Sequence, residues 1–160
     1  MKRKIELFVS LYNTQIMTTI HFSKWSGPEG LEQFIIKETG CKPFSRAGIN
    51  PRINKKTTII RSVDNTYYYD DDMSDVNSVK YTLFGHNGDQ NEYEKKFNEP
   101  LLNPDKTKHI YLYRVKLDGR KKEYLWYGKY EIIGKNNKQH IGKDKMMRNI
   151  IILSLRKIDI

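Results

Sequence analysis

HIYLYRVKLDGRKKEYLWYGKYEII, residues 109–133, is the stretch whose reading decides the fold. Two segments rich in aromatic and β-branched residues, HIYLYRVKL at 109–117 and EYLWYGKYEII at 123–133, flank Asp118-Gly119, a turn dipeptide. The pattern predicts an antiparallel hairpin, with Gly128 marking a bulge in its second strand. Downstream, NIIILSLRKI closes the chain as a buried strand, after a polar, basic stretch KNNKQHIGKDKMMR read as a loop. Upstream, TTIIR at 57–61 and KYTLF at 80–84 are further strands, and Gly85 to Gly88 is a tight turn. Tyr93 and Phe97, four apart, suggest a short helix over 91–98. Residues 41–56 carry Pro43, Gly48 and Pro51 and read as loop. Ser26 with Glu29 three residues on resembles a capping box, so a helix is expected near 28–39, with Gly40 as its stop. Residues 1–25 fit either a helix, by the spacing of Ile5, Phe8, Val9, Tyr12 and Ile16, or a strand at MTTIHF. Strands do not alternate with long helices. The expected class is α+β, mainly β: a twisted antiparallel or mixed sheet curled into a barrel, with two or three short flanking helices. Domain organisation is expected to be a single unit over 1–160, with residues 1–40 an N-terminal extension and 41–160 the barrel.

The chain has 160 residues, 29 Lys+Arg against 19 Asp+Glu, and a formal net charge of +10. Such a balance suits a polyanionic partner held through phosphate contacts. Eleven tyrosines suit either a binding surface or a β-rich core, since the ring is apolar and its hydroxyl polar. The single cysteine, Cys41, excludes an intramolecular disulfide framework and a cysteine-based zinc site, and points to a reducing intracellular compartment, cytoplasmic or nuclear. The longest apolar stretch, IELFVSLYNTQIMTTIHF, contains Glu6, Asn13, Gln15 and His21, which argues against a membrane span.

Catalytic motifs are sparse. Asp89 with Glu94, Lys95 and Lys96 faintly echoes the acidic metal site of a nuclease, but the four intervening residues leave little room for the hairpin such a site needs. His21, His86, His109 and His140 form no metal-binding spacing, and neither a nucleophile elbow nor a phosphate-binding glycine loop occurs. No catalytic set, metal site or cofactor is expected. The more pointed feature is YYYDDDMSDVNSVKYTLFGHNGDQ, residues 67–90, which sets tyrosines beside adjacent acids in a basic protein. One reading is a solvated turn. The other is a pocket in which Tyr69 and Tyr81 flank a flipped base and a carboxylate accepts from the exocyclic amine of cytosine.

An ordered series of segments resembles the SRA (SET- and RING-associated) domain, most closely the SRA-like readers attached to HNH endonucleases that target modified cytosine. The series is Gly48-Ile49, TTIIR, Tyr69-Asp70-Asp71-Asp72, Tyr81-Thr82, Gly88-Asp89-Gln90, Asn98-Glu99-Pro100-Leu101, IYLYRV and YLWYGKYEI, spanning about residues 44–157. The resemblance implies an SRA/PUA-like barrel that binds modified duplex DNA, carrying 5-methyl- or 5-hydroxymethylcytosine, by base flipping. It implies Tyr69 and Tyr81 as stacking faces and Asp72 as the base reader, with Thr82 and Phe84 in the pocket and Asp89, Gln90 and Asn98 as architectural support. Two departures stand out. Tyr81-Thr82 is followed by Leu83-Phe84, not Gly-x-Gly. The long finger that fills the vacated base position in the eukaryotic domains is missing. Phosphate contacts are expected from Arg46, Arg52 and Lys55 in one loop and from Lys138, Lys143, Lys145 and Arg148 in another. Partners would be DNA and a separate nuclease or effector. An RNA-binding PUA-like module and a small metal-dependent nuclease remain as alternatives.

Overall fold

The decisive hairpin forms as expected, and it is the spine of the molecule. The structure, a computed structural model, describes residues 4–9, 16–44, 46–64, 71–142 and 144–158. Strand β6 (His109–Asp118) pairs antiparallel with β7 (Lys121–Ile141), and β7 then pairs with β8 (Met147–Lys157). The remaining strands are β1 (Lys4–Val9), β2 (Ile16–Phe22), β3 (Ile49–Arg52), β4 (Thr57–Val63) and β5 (Ser78–Thr82). All eight join one sheet, ordered β1-β2-β7-β6-β4-β3, with β8 branching from β7 and carrying β5 at its far edge. β4 runs parallel to β6, and every other pairing among the described residues is antiparallel. The sheet curls without closing: β3 and β5 are joined by side-chain and loop bonds, not by a ladder.

β7 could not be straight. Twenty-one residues in extended conformation would span about 70 Å, against a diameter of about 40 Å for a 160-residue domain. Two bulges solve this. One lies opposite Leu112/Tyr113, where Tyr127 is the extra residue beside Gly128 at φ 103°. The other lies between Ile132 and Gly134, where Ile133 is extra. Each bends the strand and raises its twist. At the first, the inward positions change from Leu125 and Tyr127 to Tyr130 and Ile132.

The curled sheet has two hydrophobic cores. Its concave face buries Ile60, Tyr81, Leu112, Leu125, Tyr127 and Leu153, among others. Its convex face is covered by helix α1 (Leu31–Thr39), whose Leu31 and Ile35 pack with Phe22, Ile59, Tyr113 and Trp126. β4 is therefore buried on both faces: Ile60 belongs to one core and Ile59 to the other. The hydroxyls of Tyr127 and Tyr130 donate to the Met73 and Val76 carbonyls at 3.0 and 2.5 Å, tying the segment before β5 to the sheet. For these rings the tyrosine-rich composition reflects a β core.

Several sequence expectations are corrected. Residues 4–9 and 16–22 form a β-hairpin, not a helix, and Ile20–Phe22 extend the main sheet against Tyr124–Trp126. Ser26 does not cap α1. Backbone bonds Leu31 N–H to Lys24 O (3.0 Å) and Glu32 N–H to Trp25 O (2.9 Å) close the first turn, and Gly30 is the N-cap. Gly40 is the C-cap, left-handed at φ 72°. The loop 41–56 contains β3 and a 3-10 turn at Ile53–Lys55. Residues 91–97 form turns; the helix there, α2, is Asn98–Leu102. Glu94 explains the shift, because its carboxylate accepts from the N–H groups of Lys96, Phe97 and Asn98 at 2.8–3.0 Å and starts the helix later. Residues 135–141 are ladder, not loop, paired to Ile141↔Met147. No described helix is long and apolar enough to cross a membrane.

Candidate nucleic-acid interface

A cavity of about 780 Å³ opens where the β3 and β5 edges approach each other, a volume suited to a small-molecule or nucleotide moiety. Its wall on one side is Phe44 with residues 46–52, and on the other Tyr81, Thr82, Phe84 and Phe97. Arg46, Arg52, Arg61, His86 and Lys96 also line it, and no carboxylate does among the described residues. The cavity is an apolar slot with a cationic rim, the combination that suits a base in the slot and phosphates at the rim.

Tyr81 forms the floor. It is inside the core, and its hydroxyl donates to the Gly48 and Arg61 carbonyls at 2.9 and 3.1 Å, bridging β5 to β3 and β4. Thr82 follows, only 4% exposed, and its Oγ1 is buried with no hydrogen-bond partner among the described residues. A buried unsatisfied hydroxyl is costly and rare. Phe84 packs against Phe97 as a tilted pair with ring centres 4.7 Å apart and meets His86 edge-on at 5.8 Å.

The residues expected to support the pocket hold the Phe84 backbone. Asn98 accepts from the Phe84 N–H and donates to the Phe84 carbonyl, both at 2.9 Å. Gln90 donates to the carbonyls of Leu83 (2.6 Å) and Gly85 (3.1 Å) and accepts from Ile151 N–H at 2.8 Å. Asp89 accepts from Asn149 N–H at 2.7 Å. With Asp89 and Glu94 each bound to backbone amides of different segments, the two carboxylates of the nuclease alternative serve separate structural roles. Among the described residues no cluster of three His, Cys, Asp or Glu could hold a metal.

Tyr69 and Lys143 lie outside the described residues. Asp72 is described, and its carboxylate is exposed. It accepts from Ser74 N–H (3.0 Å) and Ser74 Oγ (2.6 Å), which hold its pKa below the usual aspartate value, the side-chain bond foremost. Asp72 does not line the cavity. Asp71 is the acid next to it: one oxygen accepts from Thr82 N–H at 2.6 Å and the other from Ser62 Oγ at 2.8 Å. The sequence held this signal, since a Tyr-x-x-Asp spacing also fits Tyr68 and Asp71. Asn50, Arg61, Phe97 and Phe44 line the cavity too, and the sequence does not single them out as site residues; Lys96, which also lines it, enters from the sequence only through the nuclease alternative.

Of the expected phosphate contacts, Arg46, Lys55, Lys138 and Lys145 are exposed. Two others depart from the expectation. Arg148 is buried and donates to the Gly85 carbonyl at 2.5 Å. Arg52 donates to the Lys42 carbonyl at 3.2 and 2.5 Å and to the Pro51 carbonyl at 3.0 Å. Both guanidiniums hold backbone carbonyls at loop ends, Arg52 those of Lys42 and Pro51 and Arg148 that of Gly85, which Gln90 also meets.

The curled mixed sheet with a cavity between its approaching edges is the SRA architecture. Residues 39–160 match the profile of the family described as ScoMcrA-like, SRA domain, and the chain belongs to that family. No curated protein matches the sequence. Among solved structures, similarity extends to the sulfur-binding and SRA domains of ScoMcrA complexed with phosphorothioated DNA (19% identity, TM-score 0.53, covering 79% of this chain and 37% of that one). It extends to the SUVH5 SRA domain complexed with methylated CHH DNA (17%, 0.52, 79% and 83%). It also extends to the DNA modification-dependent restriction endonuclease AspBHI (8%, 0.59, 88% and 41%). The chain thus spans well under half of the ScoMcrA and AspBHI chains.

Proposed function

We propose that this chain is a DNA-binding reader that draws a modified base into the cavity, with the rim cations holding the phosphates on either side. The reading is supported first by Thr82, whose buried hydroxyl has no hydrogen-bond partner and lines an apolar slot. A base edge would satisfy it. Neither Asp71 nor Asp72 is among the residues that line the cavity, but Asp71 is bonded to the amide of Thr82, which is. It is our choice for the acid that meets an exocyclic amine, in place of Asp72. Tyr81 and Phe84 supply flat surfaces, and Tyr69 remains a proposed second face. SRA-fold relatives are seen with methylated DNA and with phosphorothioated DNA, so cytosine modification and backbone sulfur are both to be tested. The chain is read as a recognition module that acts with a separate nuclease or effector.

The test is a fluorescence-polarisation titration at fixed salt. Matched duplexes would carry cytosine, 5-methylcytosine, 5-hydroxymethylcytosine or a phosphorothioate. The proteins would be wild type, Asp71→Asn and Asp72→Asn. The expected result is preference for a cytosine-modified duplex, lost in Asp71→Asn and kept in Asp72→Asn. Loss only in Asp72→Asn would return the reading role to that residue. Preference for the phosphorothioate alone would replace the base by the backbone as the thing read. Equal, steeply salt-dependent binding to all four would leave a phosphate binder without a reader.

A further inference from the structure

Asn87-Gly88 is the one Asn-Gly pair in the chain, and it directly follows His86, which lines the cavity. The turn that carries it is held at both ends. The Gly85 carbonyl accepts from Gln90 Nε2 at 3.1 Å and from Arg148 at 2.5 Å, and the Asp89 carboxylate accepts from Asn149 N–H at 2.7 Å. Between these anchors, among the described residues, neither the Asn87 side-chain amide nor the Gly88 N–H has a hydrogen-bond partner. Both residues are exposed. Gly88 is left-handed at φ 67°, and it has no Cβ to shield its nitrogen. An electrophilic side-chain carbon and the next backbone nitrogen therefore sit side by side, both open to water. Other asparagines lack this combination. Ser78 N–H, which follows Asn77, is tied to the Asp75 carbonyl at 3.1 Å, Asn103 precedes a proline, and Asn98 is buried with both ends of its amide bonded.

We infer that Asn87-Gly88 is a self-modification site whose product weakens the hold on DNA. The Gly88 backbone nitrogen, giving up its proton, attacks Asn87 Cγ. The new C–N bond closes a succinimide ring, and the side-chain nitrogen leaves as ammonia. Water then opens the ring at either carbonyl. Opening at Cγ leaves aspartate, and opening at the main-chain carbonyl leaves isoaspartate, with the chain rerouted through Cγ. Nothing is oxidised or reduced, and water is the only co-reactant. Either product sets a carboxylate where a neutral amide stood, beside a cavity whose lining includes Arg46, Arg52, Arg61 and Lys96. A negative charge there opposes the phosphates that those cations attract. Isoaspartate also adds a backbone carbon to a turn anchored at Gly85 and Asp89. The effect on DNA rests on the cavity being the DNA site; the ring closure does not.

The test ages wild type and Asn87→Gln in mildly alkaline buffer and follows them by peptide mapping with mass spectrometry. Fresh and aged proteins, with fresh Asn87→Asp, are then titrated against one modified-cytosine duplex at low and at high salt. Thermal melting checks that every sample is folded. Wild type should gain one mass unit at Asn87, faster than at any other asparagine, as a mixture of aspartate and isoaspartate. The aged protein should bind about three- to tenfold more weakly than the fresh one at low salt, with a smaller difference at high salt, as a rim charge does. Asn87→Asp should show the loss without ageing, and Asn87→Gln should keep its affinity through ageing. No mass gain at Asn87, or one no faster than elsewhere, would overturn the modification site. A mass gain with unchanged affinity in both aged wild type and Asn87→Asp would overturn its effect on binding. Fresh wild type that binds no duplex would overturn the DNA reading of the cavity, an outcome distinct from either, since the mass gain is measured without DNA.

Discussion

Thr82→Val separates what the free protein needs from what the ligand needs. The substitution keeps the branched shape on strand β5 and keeps the amide that donates to Asp71. It removes only the hydroxyl, which is buried and without a partner. Leaving such a group unsatisfied costs about 1–3 kcal/mol. Because Thr82 borders an open cavity, we use the lower end, about 1 kcal/mol, which corresponds to a rise in Tm of about 2–4 °C at this size. The same hydroxyl is the polar group proposed to meet a base edge. A neutral hydrogen bond contributes about 0.5–1.5 kcal/mol net, so the modified-duplex Kd should weaken about two- to tenfold. Scanning fluorimetry gives the first quantity and polarisation the second. A more stable protein that binds less tightly is the expected pair. A fall in Tm would show that the hydroxyl already serves the free fold. Unchanged affinity would show that it does not meet the ligand. Either result refutes the argument.

Tyr113→Phe provides the contrast, since its hydroxyl is also buried and unpartnered but lies in the convex core under α1, where burial pushes its pKa up. Stability should hold or rise by about 1 kcal/mol, with DNA affinity unchanged in the same titration. Ser74→Ala should raise the Asp72 pKa toward its ordinary value, measured by carbonyl NMR titration. In wild type the depressed pKa gives a stabilisation present above the unfolded aspartate value and lost as pH falls through the folded one, so the variant should lose stability less steeply below about pH 4. Gly128→Ala places a side chain at φ 103°, and a lower urea midpoint equivalent to about 1–3 kcal/mol is expected.

The parts of the fold legible in the sequence were those with one wet and one dry face. The β6–β7 hairpin and TTIIR announce themselves through alternation and branched side chains. Residues 135–141 gave no such signal because that ribbon runs past the core, where both faces are polar and exposed. The helix at 91–98 was misplaced because the spacing of Tyr93 and Phe97 is compatible with turns when a carboxylate, Glu94, collects the amides. At the site, Tyr81, Thr82 and Phe84 were found from sequence and do line the cavity. Asp72 fits the spacing Tyr69-x-x-Asp72, while in the structure it lies outside the cavity lining, on a segment bridged to Lys80. Arg52 and Arg148 read as surface cations, since sequence does not reveal which backbone carbonyls, here those of Lys42, Pro51 and Gly85, a guanidinium will meet.

The two bulges of β7 carry a further implication. Along a strand, inside and outside alternate as odd and even numbers do. Before Gly128 the odd residues of β7 face the concave core, after it the even ones, and past Ile133 the odd ones again share a face with Leu153. The chain thus makes two errors of parity that cancel. Deleting either extra residue alone would shift every later position of β7 by one and turn Lys135 and Asn137 to the face they now avoid. Losing both would restore the count but straighten the strand. Tyr127 and Ile133 should therefore tolerate change of identity far better than change of number.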